Sequence, residues 1–378
     1  QQHAGVIHSS NLCTEITLNT SQDEIAVCNL GSINLPNHLD KSGNLDEKKV
    51  EKTITTAIRM LDNVIDINYY AVPQAENSNF KHRPIGLGIM GFQDALYIKK
   101  IPYASEHAVT FADESMEMVS YYAIKSSSDL AAERGAYSSY KGSLWSKGIL
   151  PLDSVELLKK ERGEEFIEVD TTTRLDWEGL KKIVKKQGMR NSNVMAIAPT
   201  ATIANITGLT QSIEPTYSNL FVKSNLSGEF TIINMHLVDA LKEIGMWDEV
   251  MVYDLKNLNG SLEGINRVPE ELKKLFATSF EVEPKWLIEA ASRRQKWIDQ
   301  SQSLNLYVSE PNGKKLDVMY KMAWLRGLKT TYYLRSRSAT TSEKSTITNL
   351  ELNAVAANQG SEAPEACSIL DPDCEACQ

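Results

Sequence analysis

The sequence predicts an α/β domain, because segments with the pattern of buried strands alternate with segments of helical periodicity. With 378 residues, 42% of them apolar, the chain can form one large core or two modest ones. From residue 336 the composition changes to Ser, Thr, Asn, Glu and Ala, with few large apolar side chains. We therefore expect a folded body at residues 1–335 and a flexible tail at 336–378, since such a tail cannot bury enough apolar surface to fold alone.

The elements of the body follow from hydrophobic period and from their boundaries. Two long helices have apolar residues at helical spacing, and the second ends at Arg134-Gly135, a typical helix stop. Two later helices each open with a proline, which suits the first helical turn. In chain order, the pattern predicts extended segments at 14–18 and 24–30, helices at 46–69, 107–132 and 177–187, a buried strand at 194–198, helices at 269–280 and 284–300, a strand at 304–309, a helix at 314–326 and a strand at 330–335.

Charge and composition exclude several classes of protein. The formal net charge of −9 and the pI near 5.4 argue against a nucleic-acid surface, which needs clustered Lys and Arg. The sequence contains neither an apolar run of about 18 residues nor a signal peptide, so we expect a cytoplasmic protein without a membrane span. Five cysteines are too few, and odd in number, for a disulfide scaffold, which agrees with a reducing compartment.

Three residues around the first cysteine form the strongest candidate for a reactive site. Asn11, Cys13 and Glu15 alternate, so an extended backbone would project them from one face at intervals of about 6.5–7 Å. A thiol would then lie between a hydrogen-bonding amide and a carboxylate able to act as a base. The structural interpretation of the same triplet is a buried, unreactive cysteine. Cys28, about one hairpin away, is either a small core residue or a second thiol in the same cavity.

The position of this triplet also predicts a longer polypeptide. The chain begins without a methionine, and the motif around Cys13 starts only ten residues later. We expect that an N-terminal portion precedes the sequence.

The chain ends in a second pair of thiols, Cys374 and Cys377, with two residues between them. Structural zinc needs four ligands, and the sequence offers no second C-x-x-C or H-x-x-x-H pair. A dithiol on a flexible tail instead suits thiol–disulfide exchange, and a tether of this length reaches roughly 30–35 Å. We favour exchange over zinc binding.

A candidate anion site follows the strand predicted at 194–198. Backbone N–H groups at a helix start, together with two hydroxyls, would bind a diphosphate. N-capping of the helix by a threonine is the structural alternative. The residues of this segment are Thr200, Ala201, Thr202, Ile203 and Ala204.

Two other patterns have mainly structural interpretations. The G-x-G-x-x-G run at 86–91 does not follow a buried strand, so we read its glycines as sites of close packing and not as a dinucleotide fingerprint. Tyr332 and Tyr333 end the last predicted strand, where adjacent side chains face opposite ways and core packing is expected. A redox relay through stacked phenols is the functional alternative.

Taken together, these motifs resemble the large, catalytic subunit of class I ribonucleotide reductase, closest to its eukaryotic-type sequences. The resemblance covers essentially the whole chain, and the order of the motifs makes it specific. They are S-N-L-C-T-E-I at 10–16, A-V-C-N-L at 26–30, R-P-I-G-L-G at 83–88, R-N-S at 190–192, P-T-A-T at 199–202, S-I-E-P at 212–215, L-S-G-E-F at 226–230, I-D-Q-S-Q-S-L-N at 298–305, Y-Y-L-R at 332–335 and the terminal C-x-x-C.

The resemblance implies the C-terminal half of a ten-stranded α/β barrel with Cys13 on a finger loop inside it. Cys13 would form a thiyl radical that abstracts the 3′ hydrogen of a ribonucleoside diphosphate. Glu15 would take the 3′-hydroxyl proton, Asn11 would hydrogen-bond the sugar, and Ser10 would contact the substrate. Cys28 would be one of two thiols that reduce the substrate and form a disulfide.

The remaining motifs receive roles by the same resemblance. Residues 200–204 match the substrate phosphate loop, and Ile203 stands where many relatives have a hydroxyl residue. Tyr332 and Tyr333 match the pair that passes a radical to Cys13. Cys374 and Cys377 match the tail dithiol that regenerates the active-site pair and is then reduced by thioredoxin or glutaredoxin.

The resemblance also implies partners. This chain would bind no cofactor itself, because a metal-containing small subunit supplies the radical. The partner thiol of Cys28 and the sites for ATP and dNTP effectors would lie on the N-terminal portion, and large subunits would form a homodimer. This chain alone should therefore be inactive.

Two rival functions stay open. A cobalamin-dependent reductase shares the N-x-C-x-E pattern and a tail dithiol, but needs no tyrosine relay. A non-catalytic thiol-redox or zinc-binding protein would use only the terminal cysteines.

Overall fold

The computed structural model describes residues 5–225, 228–337 and 352–354. These residues form six strands and twelve α-helices. The strands are β1 (Leu30–Asn34), β2 (Gly86–Met90), β3 (Leu220–Asn225), β4 (Gly228–Ile233), β5 (Leu306–Val308) and β6 (Leu334–Ser336). The helices are α1 (Glu47–Ile67), α2 (Pro73–His82), α3 (Phe92–Ile98), α4 (Glu106–Arg134), α5 (Ser154–Arg162), α6 (Trp177–Gln187), α7 (Ala201–Thr207), α8 (Met235–Glu243), α9 (Glu249–Asn257), α10 (Glu270–Leu275), α11 (Pro284–Gln295) and α12 (Gly313–Leu325).

Parallel strand segments lie side by side through the centre of the body. β1 pairs with β2, and β2 is bridged in parallel to the buried segment 194–197. That segment is bridged at Ile197 to Gln302, just before β5, which pairs in parallel with β6. The predicted α/β class is confirmed. Within the described ranges the regular pairs are two-stranded and no closed barrel forms.

Helices cover this array and enclose the main core. The long helix α4 packs against α1, α6 and α11. Ser105 caps its N-terminus by accepting the N–H of Ala108, and Gly135 follows its last residue. A second, smaller core lies among β3, α8 and α9, with Leu237, Leu241 and Met251 fully buried.

A buried carboxylate joins two of the sequence motifs. Asp62, which is fully buried, accepts hydrogen bonds from Arg83 at 2.8 Å, Arg134 at 3.1 Å and Arg190 at 3.2 Å. The Asn191 amide approaches the same carboxylate at 3.3 Å. Removing one partner of such a buried group is costly because it leaves a charge uncompensated. The Arg-Pro and Arg-Asn-Ser motifs therefore serve the fold by connecting α1, α4 and two strand segments.

The glycines at 86 and 88 allow close contact between neighbouring strand segments. A Cβ on Gly88 would lie 2.5 Å from the carbonyl oxygen of Ala196 and 2.9 Å from the Cα of Ile197. The interpretation as close-packing sites is confirmed. Gly86–Met90 is itself a fully buried strand, which the sequence did not predict because glycines weaken the expected strand pattern.

Most predicted helices are confirmed, whereas several strand boundaries were wrong. Residues 46–69, 107–132, 177–187 and 314–326 correspond to α1, α4, α6 and α12. The helix predicted at 284–300 ends at Gln295. The helix predicted at 269–280 is shortened to α10, because the N–H of Ser279 donates to the carbonyl of Thr216 and not to a helical partner. The extended segment predicted at 14–18 forms no regular strand, and the one predicted at 24–30 overlaps β1 only at its last residue. The strand predicted at 194–198 is paired through isolated bridges, and the strand predicted at 330–335 begins only at Leu334. Helices α2, α3, α5, α8 and α9 and the β3–β4 hairpin were not predicted.

One short piece of the predicted tail contacts the body. The N–H of Asn353 donates to Asp254 at 3.1 Å, and its side-chain amide donates to the carbonyl of Gly264 at 3.2 Å. Asn266 N–H donates back to the Asn353 side chain at 2.8 Å. The tail therefore has a point of attachment beside α9.

We predict that Gly88→Ala destabilises the body. The new methyl group would meet backbone atoms, which cannot rotate away, so we expect a loss of about 1–3 kcal/mol. Urea unfolding of the wild type and of Gly88→Ala measures the difference in the free energy of unfolding. Gly313→Ala is the matched control, since its methyl group would have no neighbour within 4 Å at the start of α12. Equal unfolding midpoints for wild type and Gly88→Ala would contradict the prediction.

Candidate active site

The loop that carries Cys13 is a turn and not an extended strand. Thr14 N–H donates to the carbonyl of Asn11 at 3.1 Å, and Thr14 has a left-handed backbone with φ of 67°. The Asn11 side-chain oxygen accepts the N–H of Ile16 at 3.1 Å, which closes the turn. The expected row of side chains on one extended face was therefore wrong. The turn still leaves Cys13 partly exposed while Glu15 is buried.

Hydroxyl groups from other segments hold this turn in place. The Ser303 hydroxyl lies 2.5 Å from the carbonyl oxygen of Cys13 and 3.1 Å from the Glu15 carboxylate. The Thr330 hydroxyl donates to the carbonyl of Thr14 at 2.8 Å. Ser301 N–H donates to the carbonyl of Glu15 at 3.0 Å. The turn is thus attached to the segment before β5 and to the segment before β6.

Tyr332 contacts the thiol directly. Its hydroxyl donates to Cys13 Sγ at 3.5 Å, and its ring stacks on Tyr333 with centroids 3.8 Å apart and planes at 27°. The pKa of Tyr332 is raised, first by its hydrogen bond to Cys13 and then by that to Tyr333. The expectation that the two rings face opposite ways was wrong, because both residues precede β6 and do not follow strand alternation. The stacked arrangement is the one that the functional alternative required.

Cys28 belongs to the same site. Its pKa is raised to about 11, first by burial and then by electrostatic interaction with Glu15 and with Cys13, which places all three groups within electrostatic range. Both cysteines are free thiols, and the Cys28 residue is exposed, so the burial that raises its pKa is partial. Cys28 is positioned by Asn29, whose side chain donates to the carbonyl of Pro84 at 2.9 Å. The site therefore holds two accessible thiols beside a buried carboxylate.

The segment predicted to bind a diphosphate starts a helix, as expected. Thr200 has a left-handed backbone with φ of 54° immediately before α7, and its hydroxyl accepts the N–H of Ser212 at 2.8 Å. Ala204 is buried, and its N–H donates to the carbonyl of Thr200. Ala201, Thr202 and Ile203 are exposed, and the first N–H groups of a helix have no partner within it. These three residues offer the surface for an anion.

The sequence did not predict a role for three residues that hold the Cys13 turn. They act through the hydroxyls of Ser303 and Thr330 and through the backbone N–H of Ser301. A usable signal is present in the sequence. Residues 299–303 are a polar run between Ile298 and Leu304, and all of them are buried. Burial of so many adjacent polar groups requires partners, which is typical of a site and not of a surface loop.

The remaining predicted residues are Ser10 and the two tail cysteines. Ser10 is partly exposed and precedes the turn directly. Cys374 and Cys377 lie outside the described residues, so the tail dithiol stays a prediction.

Within the described part of the chain, no cluster of three metal-binding side chains occurs. None of the helices described is both long enough and apolar enough to cross a bilayer.

The chain is similar to several known proteins. Residues 1–334 match the family described as "Ribonucleotide reductase, barrel domain". The ribonucleoside-diphosphate reductase subunit alpha of Chlamydia trachomatis is 58% identical over the whole chain, which corresponds to 37% of that protein. The large subunit of Danio rerio is 42% identical over 89% of the chain and 41% of its own length. Large chain 2 of Saccharomyces cerevisiae is 40% identical over 92% of the chain and 39% of its own length. The chain thus spans about two fifths of these relatives.

We predict that Glu15→Gln lowers the pKa of Cys28. Removing the carboxylate charge stabilises the Cys28 thiolate, but burial, the larger cause, keeps its pKa above the usual range. Alkylation of Cys28 by iodoacetamide should therefore be faster in the variant between pH 9 and 10, as measured by mass spectrometry of the labelled peptide. Glu310→Gln, at an exposed carboxylate, is the control. An unchanged pH profile of labelling would show that Glu15 does not act on this thiol.

Proposed function

Because this chain belongs to the ribonucleotide reductase family, we propose that it forms the catalytic part of a ribonucleoside-diphosphate reductase large subunit. Such an enzyme converts ribonucleoside diphosphates to 2′-deoxyribonucleoside diphosphates. The observation that carries the proposal is the contact of the Tyr332 hydroxyl with Cys13 Sγ, beside the buried Glu15 and the second thiol, Cys28.

The proposed reaction begins at Cys13. Its thiyl radical abstracts the 3′ hydrogen of the ribose, and Glu15 accepts the proton of the 3′-hydroxyl. The 2′-hydroxyl leaves as water after protonation by a thiol. Of Cys28 and a second thiol on the N-terminal portion, one gives its proton to the departing hydroxyl and the other gives its hydrogen to C2′, and with the two electrons supplied they finish as a disulfide. Glu15 then returns its proton to the 3′ oxygen, and Cys13 returns the hydrogen to C3′. Asn11, whose side-chain oxygen is already bonded within the turn, would donate its NH₂ group to the sugar.

The diphosphate of the substrate would bind at the start of α7. The exposed residues Ala201, Thr202 and Ile203 supply backbone N–H groups, and Thr202 adds a hydroxyl. Contact at Ile203 rests on its N–H alone. Thr200 and Ala204 support this surface from behind, since the Thr200 hydroxyl and the Ala204 N–H bond to the protein itself. Ser10, next to the Cys13 turn, is the remaining proposed substrate contact.

The radical would reach Cys13 through the stacked rings of Tyr333 and Tyr332. Tyr333 is the more exposed of the two, with 46% of its surface accessible, so it can face a small subunit that carries the metal-based radical. A stacked pair ending in a hydrogen bond to sulfur favours this route over cobalamin, which would generate the thiyl radical without a relay. ATP and dNTP effectors would bind the N-terminal portion, and large subunits would pair as a homodimer.

Reducing equivalents would arrive through the tail. Cys374 and Cys377 would reduce the disulfide formed at Cys28 by thiol–disulfide exchange and would themselves be reduced by thioredoxin or glutaredoxin. We also propose that the parallel strand array is part of a ten-stranded barrel, which strands of the N-terminal portion complete. The proposed location of the enzyme is the cytoplasm.

Tyr332→Phe should abolish turnover of the large subunit assembled with its small subunit. The substitution keeps the stacked ring but removes the O–H group that exchanges a hydrogen with Cys13. Deoxyribonucleotide formation from a labelled diphosphate measures the effect. Tyr320→Phe, on α12 and 40% exposed, should retain full activity. Normal turnover of Tyr332→Phe would refute the relay and favour a cobalamin enzyme.

Replacing both tail cysteines should impair multiple turnover but not the first turnover of the enzyme. In the assembled enzyme, Cys374→Ser with Cys377→Ser should leave the first turnover of prereduced protein intact, because Cys28 is already a thiol. Turnover with thioredoxin should fall at least tenfold, since the exchange partner is lost. Cys367→Ser serves as the control for a lost tail thiol. Unimpaired multiple turnover of the double variant would disprove the proposed role of the dithiol.

A further inference from the structure

A carboxyl group outside the proposed reaction lies behind the tyrosine pair. Glu214 accepts a hydrogen bond from the Tyr307 hydroxyl at 2.6 Å. Burial raises the pKa of this carboxyl group, and the nearby side chain and backbone N–H of Asn305 act against that rise. Glu214 therefore faces two residues at the start of β5, with a direct hydrogen bond to Tyr307.

Asn305 carries this restraint to Tyr333. Its side-chain oxygen accepts the N–H of Tyr333 at 3.0 Å, while the carbonyl of Tyr333 accepts the N–H of Leu306 at 2.9 Å. The backbone of Tyr333 is thus held on both sides. The ring of Tyr333 in turn stacks on Tyr332, which contacts Cys13. The guanidinium of Arg335 lies 5.2 Å from the centre of the Tyr333 ring and acts electrostatically on Glu214.

Glu214 also belongs to the loop that follows the proposed phosphate-binding helix. Two residues earlier, the N–H of Ser212 donates to the Thr200 hydroxyl at 2.8 Å. The carbonyl of Ile213 accepts the Tyr103 hydroxyl at 2.8 Å. These bonds restrain the loop on both sides of Ile213. The backbone directly before Glu214 is therefore fixed to Thr200 and Tyr103.

We propose that Glu214 is a positioning residue that connects the loop after α7 to the start of β5 and thereby aligns Tyr333 in the radical route. It acts through Asn305 on one side and through the Ser212–Thr200 bond on the other, and it touches neither substrate nor thiol. The inference rests on the proposed function, because it assigns Glu214 to the same radical route. Its ionised form is the active one, since protonation weakens the carboxyl group as acceptor of the Tyr307 hydrogen bond.

The electrostatics around Glu214 make this proposal sensitive to pH. Burial raises the pKa of Glu214 to about 7, while hydrogen bonds from Tyr307 and Asn305 act in the opposite direction. The charged or titratable groups facing it are Tyr103, Arg294, Tyr307 and Arg335. Burial raises the pKa of both tyrosines, so they stay neutral, whereas burial lowers the pKa of Arg294. Near neutral pH, Glu214 is the member of this group that titrates.

The test uses the assembled enzyme with Glu214→Gln, which keeps the shape of the side chain and removes its charge. We expect the single-turnover rate of prereduced enzyme to fall about 10- to 100-fold, the scale set by small misplacements of reacting groups. Equilibrium binding of the diphosphate substrate should change by less than about twofold, since Glu214 does not contact it. Asn305→Ala combined with Glu214→Gln should lose no more than the worse single variant, because both lie on one path. Glu310→Gln, an exposed carboxyl beyond β5, is the control with wild-type rates.

The pH profile distinguishes positioning from simple support of the fold. The wild-type rate should fall as pH drops through about 7, and Glu214→Gln should lack this step. Tyr307→Phe removes a bond that stabilises the carboxylate, so it should move the step to higher pH while the ring still packs. If Glu214→Gln fails to fold, the shifted pH step of Tyr307→Phe still tests the proposal.

Wild-type rates in Glu214→Gln, or a step that does not move in Tyr307→Phe, would overturn the proposal. Loss of substrate binding in parallel with rate would also overturn it. The relay itself is judged separately by Tyr332→Phe, so its failure is distinguishable from failure of the Glu214 assignment.

Discussion

The position of the Cys13 thiol depends on hydrogen bonds from outside its own loop. Residues 11–15 form no strand pairing, so their carbonyl groups need other donors. The hydroxyls of Ser303 and Thr330 and the N–H of Ser301 supply these donors. Each such bond contributes on the order of 1 kcal/mol, enough together to favour one loop conformation over many. Ile16 and Leu18 then pack against Ala196 and attach the loop to the strand array.

This attachment requires a polar seam through an otherwise apolar core. The Asp299 carboxylate accepts the N–H groups of Val194 and Met195 at 2.8 and 2.9 Å, and Lys329 donates to the carbonyls of residues 298–300. These bonds compensate most of the desolvation of the seam, although the side-chain oxygens of Gln300 and Gln302 have no partner within the described residues. An apolar core would be easier to stabilise. Such a seam suits the proposed site for a polar substrate, since fixed donors do not have to reorganise during reaction.

The sequence was sufficient for features that depend on local pattern. Periodicity and caps located α1, α4, α6 and α12 within a few residues, and residue spacing selected Cys13, Glu15 and Cys28 as candidates. It was insufficient where distant segments decide the conformation. The left-handed Thr14 is stabilised by Thr330, more than 300 residues away, and no local signal marks it. The stacking of Tyr332 on Tyr333 likewise depends on Asn305, whose side chain holds Tyr333 before regular pairing begins.

The protonation of Cys28 connects the electrostatics of the site to the proposed chemistry. Reduction of a ribose radical consumes hydrogen from thiols, so a thiolate at Cys28 would be an ineffective donor in this step. Burial and the nearby charge of Glu15 raise the pKa of Cys28 to about 11, which keeps it protonated at neutral pH. Disulfide exchange has the opposite requirement, because the attacking sulfur must be a thiolate. One site cannot favour both states of the same sulfur. A second dithiol, such as the one that the sequence places at Cys374 and Cys377, resolves this conflict by supplying the thiolate from elsewhere, while Cys28 remains suited to donating hydrogen.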